Sequence, residues 1–130
     1  MPAFSSWPGK IQAARADETV SMLDWYPTFA KLAGAEIPAS AKVEGRDVWP
    51  ILTRAAQKPA APTLYWNVVQ KHAVLANDWK LIVTAKEPDM PELYDLRNDP
   101  MEARNLVAES RDKLMELRAV LEKQRMLDPH

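Results

Sequence analysis

The chain has 130 residues, 47% of them hydrophobic and 27% charged, with a formal net charge of −1. That balance is ordinary for a globular protein with a modest core, one domain being the default, and it gives no electrostatic footing for nucleic acid or an anionic membrane. Cysteine is absent, which excludes disulfides and thiolate metal sites, and no apolar run approaches the ~20 residues needed to span a bilayer.

The first segment, Ala3-Phe4-Ser5-Ser6-Trp7, reads as a short apolar strand before a Pro8-Gly9 turn. Met1-Pro2-Ala3-Phe4 lacks the basic n-region and long h-region of a signal peptide. A strand needs a neighbour, and nothing before this one supplies it. The expectation is therefore that Met1 is an internal Met of a longer reading frame.

Asp24-Trp25-Tyr26-Pro27 predicts a helix start, with Asp24 as the N-cap and Pro27 tolerated only in the first turn. Tyr26, Phe29, Ala30, Leu32 and Ala33 then give an apolar face, and Gly34 suits the left-handed residue after a helix end. The same pattern at Asp47-Val48-Trp49-Pro50-Ile51-Leu52 predicts a second, shorter helix, with loop between them over 37–42. Residues 55–62, Ala-Ala-Gln-Lys-Pro-Ala-Ala-Pro, make the best linker.

Beyond the linker the character turns extended. The stretch 63–69 is β-prone, and 72–76 and 79–84 flank Asn77-Asp78, a two-residue hairpin signal. A strand over 93–96 completes a small antiparallel sheet of four strands. The last element is a helix over 110–125, capped by Ser110, with Leu114, Leu117 and Leu121 on its inner face and Arg118 and Glu122 paired on the wet side. Packed on one sheet face it closes a minimal α+β core.

The stretch Glu92-Leu93-Tyr94-Asp95-Leu96-Arg97-Asn98-Asp99-Pro100-Met101-Glu102-Ala103-Arg104-Asn105-Leu106 carries the most information. Physically it is a strand, an Asn-Asp-Pro turn and a loop tethered by Leu106 and Val107. Its string E-L-Y-D-L-x-N-D-P-x-E-x-x-N-L closely resembles the C-terminal signature of the sulfatase family. Other pieces resemble that family in the same order. Pro2 to Lys10 is similar to a "vPxxxxWPG" segment, Ser21 to Gly34 to "sxxDxxPTxxxLAG", Glu44 to Leu52 to "dGxdlxPlL", and Trp79-Lys80-Leu81-Ile82 to "xWKli".

The resemblance implies the C-terminal part of an alkaline-phosphatase-like α/β fold, with a small four-stranded antiparallel sheet packed by a C-terminal helix. Residues 1–55 would be the tail end of the large domain and 63–130 the small domain. It implies a hydrolase of sulfuric esters whose formylglycine nucleophile arises from a C/S-x-P-x-R motif, with calcium in the complete enzyme. Those residues lie upstream in the family. The fragment is therefore expected to be inactive alone, with no catalytic, cofactor-binding or metal-binding residue of its own. Its partners would be the missing N-terminal catalytic portion and, in the complete enzyme, a small-molecule sulfate ester. Export to the periplasm or outside the cell is what many relatives imply. A free-standing binding module derived from a sulfatase tail, or the tail of a related phosphatase or phosphonate hydrolase, are the alternatives.

Several residues invite a catalytic reading. Ser6-Trp7-Pro8-Gly9-Lys10 spells S-x-P-x-K, but a nucleophile needs Arg at the last position and a helix N-terminus to hold it, so a corner is expected. His72 could act as base or ligand but lacks a partner, since His130 lies at the chain end. Asp24 and Asp47 read as helix caps. Asp95, Asp99 and Glu102 offer calcium-type oxygens, yet their spacing fits no EF-hand and suits a turn. Trp7, Trp25, Trp49, Trp66 and Trp79 are expected as core or interface anchors.

Overall fold

Asn77 and Asp78 both adopt positive φ, 50° and 66°, and so form the tight turn that matches the twist of the strands on either side. Around that turn the computed structural model, which describes residues 3–55, 57 and 59–128, builds a four-stranded antiparallel sheet. The strands are β1 (Leu64–Val68), β2 (Lys71–Ala76), β3 (Trp79–Thr84) and β4 (Glu87–Asp95), in the spatial order β1-β2-β3-β4. The sheet lies in the second of two compact units, Met1–Ala61 and Pro62–His130.

Register explains the core of this second unit. Tyr65 pairs with Val74, Val74 with Leu81, and Leu81 with Leu93, so one row of side chains crosses all four strands on the same face. The C-terminal helix, Arg111–Leu127, lays Leu117 and Leu121 on that row, with Leu114 and Val120 half-buried beside them. Leu81, Leu93 and Leu117 are fully buried, each worth about 1.5–3 kcal/mol in transfer free energy. The expected i, i+3, i+7 leucines are thus the ones that pack.

Three local expectations need correction. Strand β4 begins six residues before the predicted start at 93, at Glu87, because Pro88 and Pro91 hid it. Prolines are tolerated there because β4 is an edge strand, and a register shift opposite Ile82 and Thr84 absorbs them. Ser110 precedes the helix but its side chain makes no capping bond. Glu122 pairs with Arg125 at 3.0 Å, while Arg118 donates to the Pro88 carbonyl at 3.1 Å.

In the first unit, a short 3-10 helix, Met22–Asp24, runs into α1 (Trp25–Leu32), and α2 (Trp49–Leu52) follows. Gly34 has φ +68°, and the amides of Gly34 and Ala35 donate to the Lys31 and Ala30 carbonyls, closing the end of α1 as expected. Arg54 takes the equivalent position after α2 at φ 56°, with Ala55 donating to the Pro50 carbonyl at 2.8 Å. Residues 3–7 form no strand; Lys10 and Ile11 both donate to the Trp7 carbonyl, and Gly9 turns the chain at φ +78°. Of the predicted linker, Ala56 and Lys58 lie outside the described residues.

Candidate functional site

The sequence points to two clusters and one histidine. The first cluster centres on Asp24, which is 2% exposed. It stands at the N-cap position of α1, as expected, but its carboxylate makes no capping bond to that helix. It serves instead the 3-10 helix before it: Ser21 caps that turn, accepting from the Leu23 amide at 3.3 Å, while Asp24 Oδ2 accepts from the Ser21 amide at 2.8 Å. Asp24 Oδ1 accepts from the Arg46 amide at 3.0 Å. Thr28, fully buried, donates to the Asp24 carbonyl at 2.6 Å and accepts from the Val48 amide at 2.9 Å.

Arg46 extends this cluster. Its Nη2 donates to the Thr19 carbonyl at 2.6 Å, and its Nη1 to the carbonyls of Pro59 and Ala60. Its buried Nε lies 3.8 Å from Asp24 Oδ2, beyond hydrogen-bond reach. The pair therefore ties three distant stretches of the first unit together. Asp47 accepts from the Trp49 amide at 2.9 Å and from Lys31 Nζ at 2.8 Å. Each carboxylate is held by donors from the protein itself.

The second cluster is the loop after β4. Asp95 accepts from the Arg97 and Asn98 amides and from Asn98 Nδ2. Asp99 accepts from the Arg104 amide at 2.9 Å, and backbone donors from Ala103 and Arg104 hold its carboxyl below the usual range. Glu102, at φ 55°, receives Lys80 Nζ on both oxygens, at 2.7 and 2.9 Å. Asn105 Oδ1 accepts from the Leu93 and Val107 amides, and Asn105 Nδ2 donates to the Pro91 carbonyl. Leu106 donates its amide to Leu93 at 2.8 Å. Tyr94, on the face opposite the core row, donates to Glu92 at 2.7 Å; that bond, and then burial, push its phenol up to about 12.

His72 sits on β2 with Nδ1 3.2 Å from the Tyr65 hydroxyl, the two rings near-parallel at 10°. They line an open cleft of about 300 Å³ with Asn67, Glu122, Arg125 and Met126. Burial, and then Asp128, raise the Tyr65 phenol. The cleft's charged pair, Glu122 and Arg125, is internally matched, and Asn67 bonds Asp128 at 2.9 Å. Ser6 is exposed beside the Trp7 turn and belongs to no helix end. His130 lies outside the described residues. None of the five tryptophans is fully buried; Trp7 meets Trp49 edge-on at 5.5 Å. Among the described residues, no three His, Cys, Asp or Glu side chains are placed to hold a metal ion.

The spacing of Glu102 and Asn105 in the sequence suits local side-chain bonds within a compact loop, and Asn105 makes them. Arg46, Lys80 and Thr28 carry no such signal, and Lys80 lies unmarked inside the Trp-Lys-Leu-Ile match.

A small antiparallel sheet with one C-terminal helix on it, of the alkaline-phosphatase-like class, is shared with solved structures. The chain belongs to the sulfatases: the family described as N-sulphoglucosamine sulphohydrolase, C-terminal, matches residues 1–127. It is 32% identical to an N-acetylglucosamine-6-O-sulfatase of Bacteroides thetaiotaomicron, over 94% of this chain and 24% of that protein. It is 30% identical to the steryl-sulfatase of Mus musculus, over 90% and 24%. The crystal structure of Ps i-CgsB matches with a TM-score of 0.77 and 27% identity, over 91% of this chain and 27% of the other. The structure of BT4656 in complex with its substrate D-glucosamine-2-N,6-O-disulfate matches with a TM-score of 0.59 and 28% identity, over 79% and 23%. The chain thus spans about a quarter of the length of the curated relatives it matches. Among the described residues no helix is long and apolar enough to cross a membrane.

Proposed function

We propose that this chain is the C-terminal portion of a hydrolase of sulfuric esters, and that it has no hydrolytic activity alone. The observation that carries the reading is the family match over residues 1–127, joined to a polar inventory engaged in internal bonds. The sulfated glucosamine and steryl sulfate named for its relatives share one chemistry, the sulfuric ester, and that is the substrate class of the complete enzyme.

On this reading residues 1–55 close the large α/β domain and 63–130 form the small domain, walling one side of the substrate cleft. The calcium expected of the complete enzyme does not fit the residues here. Asp95, Asp99 and Glu102 already accept from backbone amides, Asn98 and Lys80, so the ion's ligands come from the catalytic portion. The test is direct. Purified chain, supplied with an aryl sulfate and calcium, is expected to release no sulfate above the uncatalysed background. Turnover above that background would overturn the proposal.

A further inference from the structure

In the second unit, the cleft between the β1–β2 hairpin and the end of the C-terminal helix holds a chain of three half-buried side chains, Asp128, Tyr65 and His72. Burial, and then the charge and hydrogen bond of Asp128, raise the Tyr65 phenol, so its proton is directed at that carboxylate. The Tyr65 oxygen, 3.2 Å from His72 Nδ1, is then left to accept, and the network assigns the imidazole proton to Nδ1. That tautomer makes His72 Nε2 an acceptor, and among the described residues no protein group donates to it. A ring held from behind through a hydroxyl and a carboxylate, with its other nitrogen open, is oriented for a donor from outside.

The rest of the cleft complements that acceptor. The Tyr65 and His72 rings are near-parallel at 10°, with centroids 6.3 Å apart, and together give a flat aromatic wall. Glu122 and Arg125 stand exposed at the rim, 3.0 Å apart, and offer acceptors and donors whose charges match. Glu122 and Asp128 against Arg125 leave one negative charge in excess, so an anionic ligand finds no unmatched cation. A volume of about 300 Å³ is the lower end for a ligand cleft and admits a single ring. We propose that this cleft binds one uncharged sugar ring, a pyranose with its C–H face on the aromatic wall and one hydroxyl donating to His72 Nε2. Binding there involves no sulfate, nucleophile or metal, so the site stands independently of the hydrolytic reading above.

The experiment titrates the isotope-labelled full chain with glucose, glucose 6-sulfate and glycerol, and follows amide and imidazole nitrogen shifts. Glucose is expected to move the signals of Tyr65, Asn67, His72 and Arg125 with a Kd on the order of 1 mM. Glucose 6-sulfate should bind at least about tenfold more weakly, and glycerol should leave those signals in place. His72→Phe keeps the aromatic wall and removes Nε2, so glucose affinity should fall at least about tenfold. Tyr65→Phe keeps the other ring and releases the His72 tautomer, and affinity should fall about threefold. Both variants leave a ring in place, and the amide spectrum without sugar reports that each is folded. No shift in the cleft at about 50 mM glucose overturns the site. Equal or tighter binding of glucose 6-sulfate overturns the uncharged class, and equal shifts with glycerol overturn the sugar ring. A folded His72→Phe that binds glucose as the wild type does overturns the hydroxyl contact, and an Nε2-protonated His72 in the wild type overturns the chain that orients it.

Discussion

Asp24 and Arg46 meet twice: the Arg46 amide donates to Asp24 Oδ1 at 3.0 Å, and the guanidinium Nε stands 3.8 Å from Oδ2. The approach is possible because residue 45 is glycine. A Cβ there would lie 1.9 Å from the Leu23 carbonyl oxygen, against backbone that has no room to give. Gly45→Ala is therefore expected to destabilise the first unit by about 2–4 kcal/mol, and Asp24→Ala by about 3 kcal/mol, because it leaves the part-buried Ser21 and Arg46 amides without their acceptor and removes the counter-charge beside the Arg46 guanidinium. Urea unfolding followed by tryptophan fluorescence measures both. A loss under half a kcal/mol from either would show that the clip is not what holds these stretches together.

Lys80 and Glu102 form a half-buried ion pair whose acidic member carries left-handed backbone. The pair and the strain oppose each other. Removing the charge on Lys80 with Lys80→Met should cost about 1 kcal/mol. In that background Glu102→Gly should restore part of it, about 0.5–1 kcal/mol, since glycine takes φ 55° without penalty. A double-mutant cycle on the melting curves separates the two contributions. Additive losses from both substitutions would contradict it.

Asn105 satisfies two amides and a carbonyl with a single side chain. Asn105→Ala leaves the Leu93 and Val107 amides to water and frees the loop over 97–105, at a cost of about 1–2 kcal/mol. Asn105→Asp keeps the acceptor for both amides but sets a carboxylate oxygen where a donor faced the Pro91 carbonyl, so it should recover only part of the protection that Asn105→Ala loses. Hydrogen exchange at the Leu93 amide reads the difference, and equal protection in wild type and Asn105→Ala would sink the assignment.

Tyr94 gives a pH dependence. Its phenol is raised from 10 to about 12, first by its bond to the Glu92 carboxylate, then by burial. The folded state thus holds the proton more tightly than the unfolded state. That contribution is fully present below pH 10 and is lost as the pH rises towards about 12. Stability should fall across that window in the wild type, and the fall should be shallower in Tyr94→Phe. Parallel pH profiles for the two proteins would refute the linkage.

What was legible in the sequence is what depends on near neighbours. Asn77-Asp78 announces its hairpin because both residues tolerate positive φ, and Gly34 announces the end of α1 for the same reason. The Asn98-Asp99-Pro100 turn follows from short polar side chains that reach their own backbone. Leu117 and Leu121 are visible through helical spacing. What escaped depends on partners remote in sequence. Asp24 looked like a local cap because its second partner is 22 residues away, and Lys80 finds Glu102 at the same separation. The opening strand failed because apolar residues at 3–7 predict extended chain but not a strand to pair with. The apolar stripe of α1 is visible in the spacing, but its exposure is not: Tyr26 and Phe29 are exposed, while Asp24 and Thr28 are the buried residues there.

The two rims of the sheet are unequal. Strand β4 carries Pro88 and Pro91 and a break in register, so another strand cannot run along it. Strand β1 has no proline, and it exposes Trp66 and Val68, with Val69 95% exposed just beyond it. Strand addition therefore has one open side. Two copies joined rim to rim through β1 would present only proline-bearing edges outward, and growth would end at the pair. The prolines that concealed β4 from sequence reading are also chain terminators for any fibril this sheet could seed.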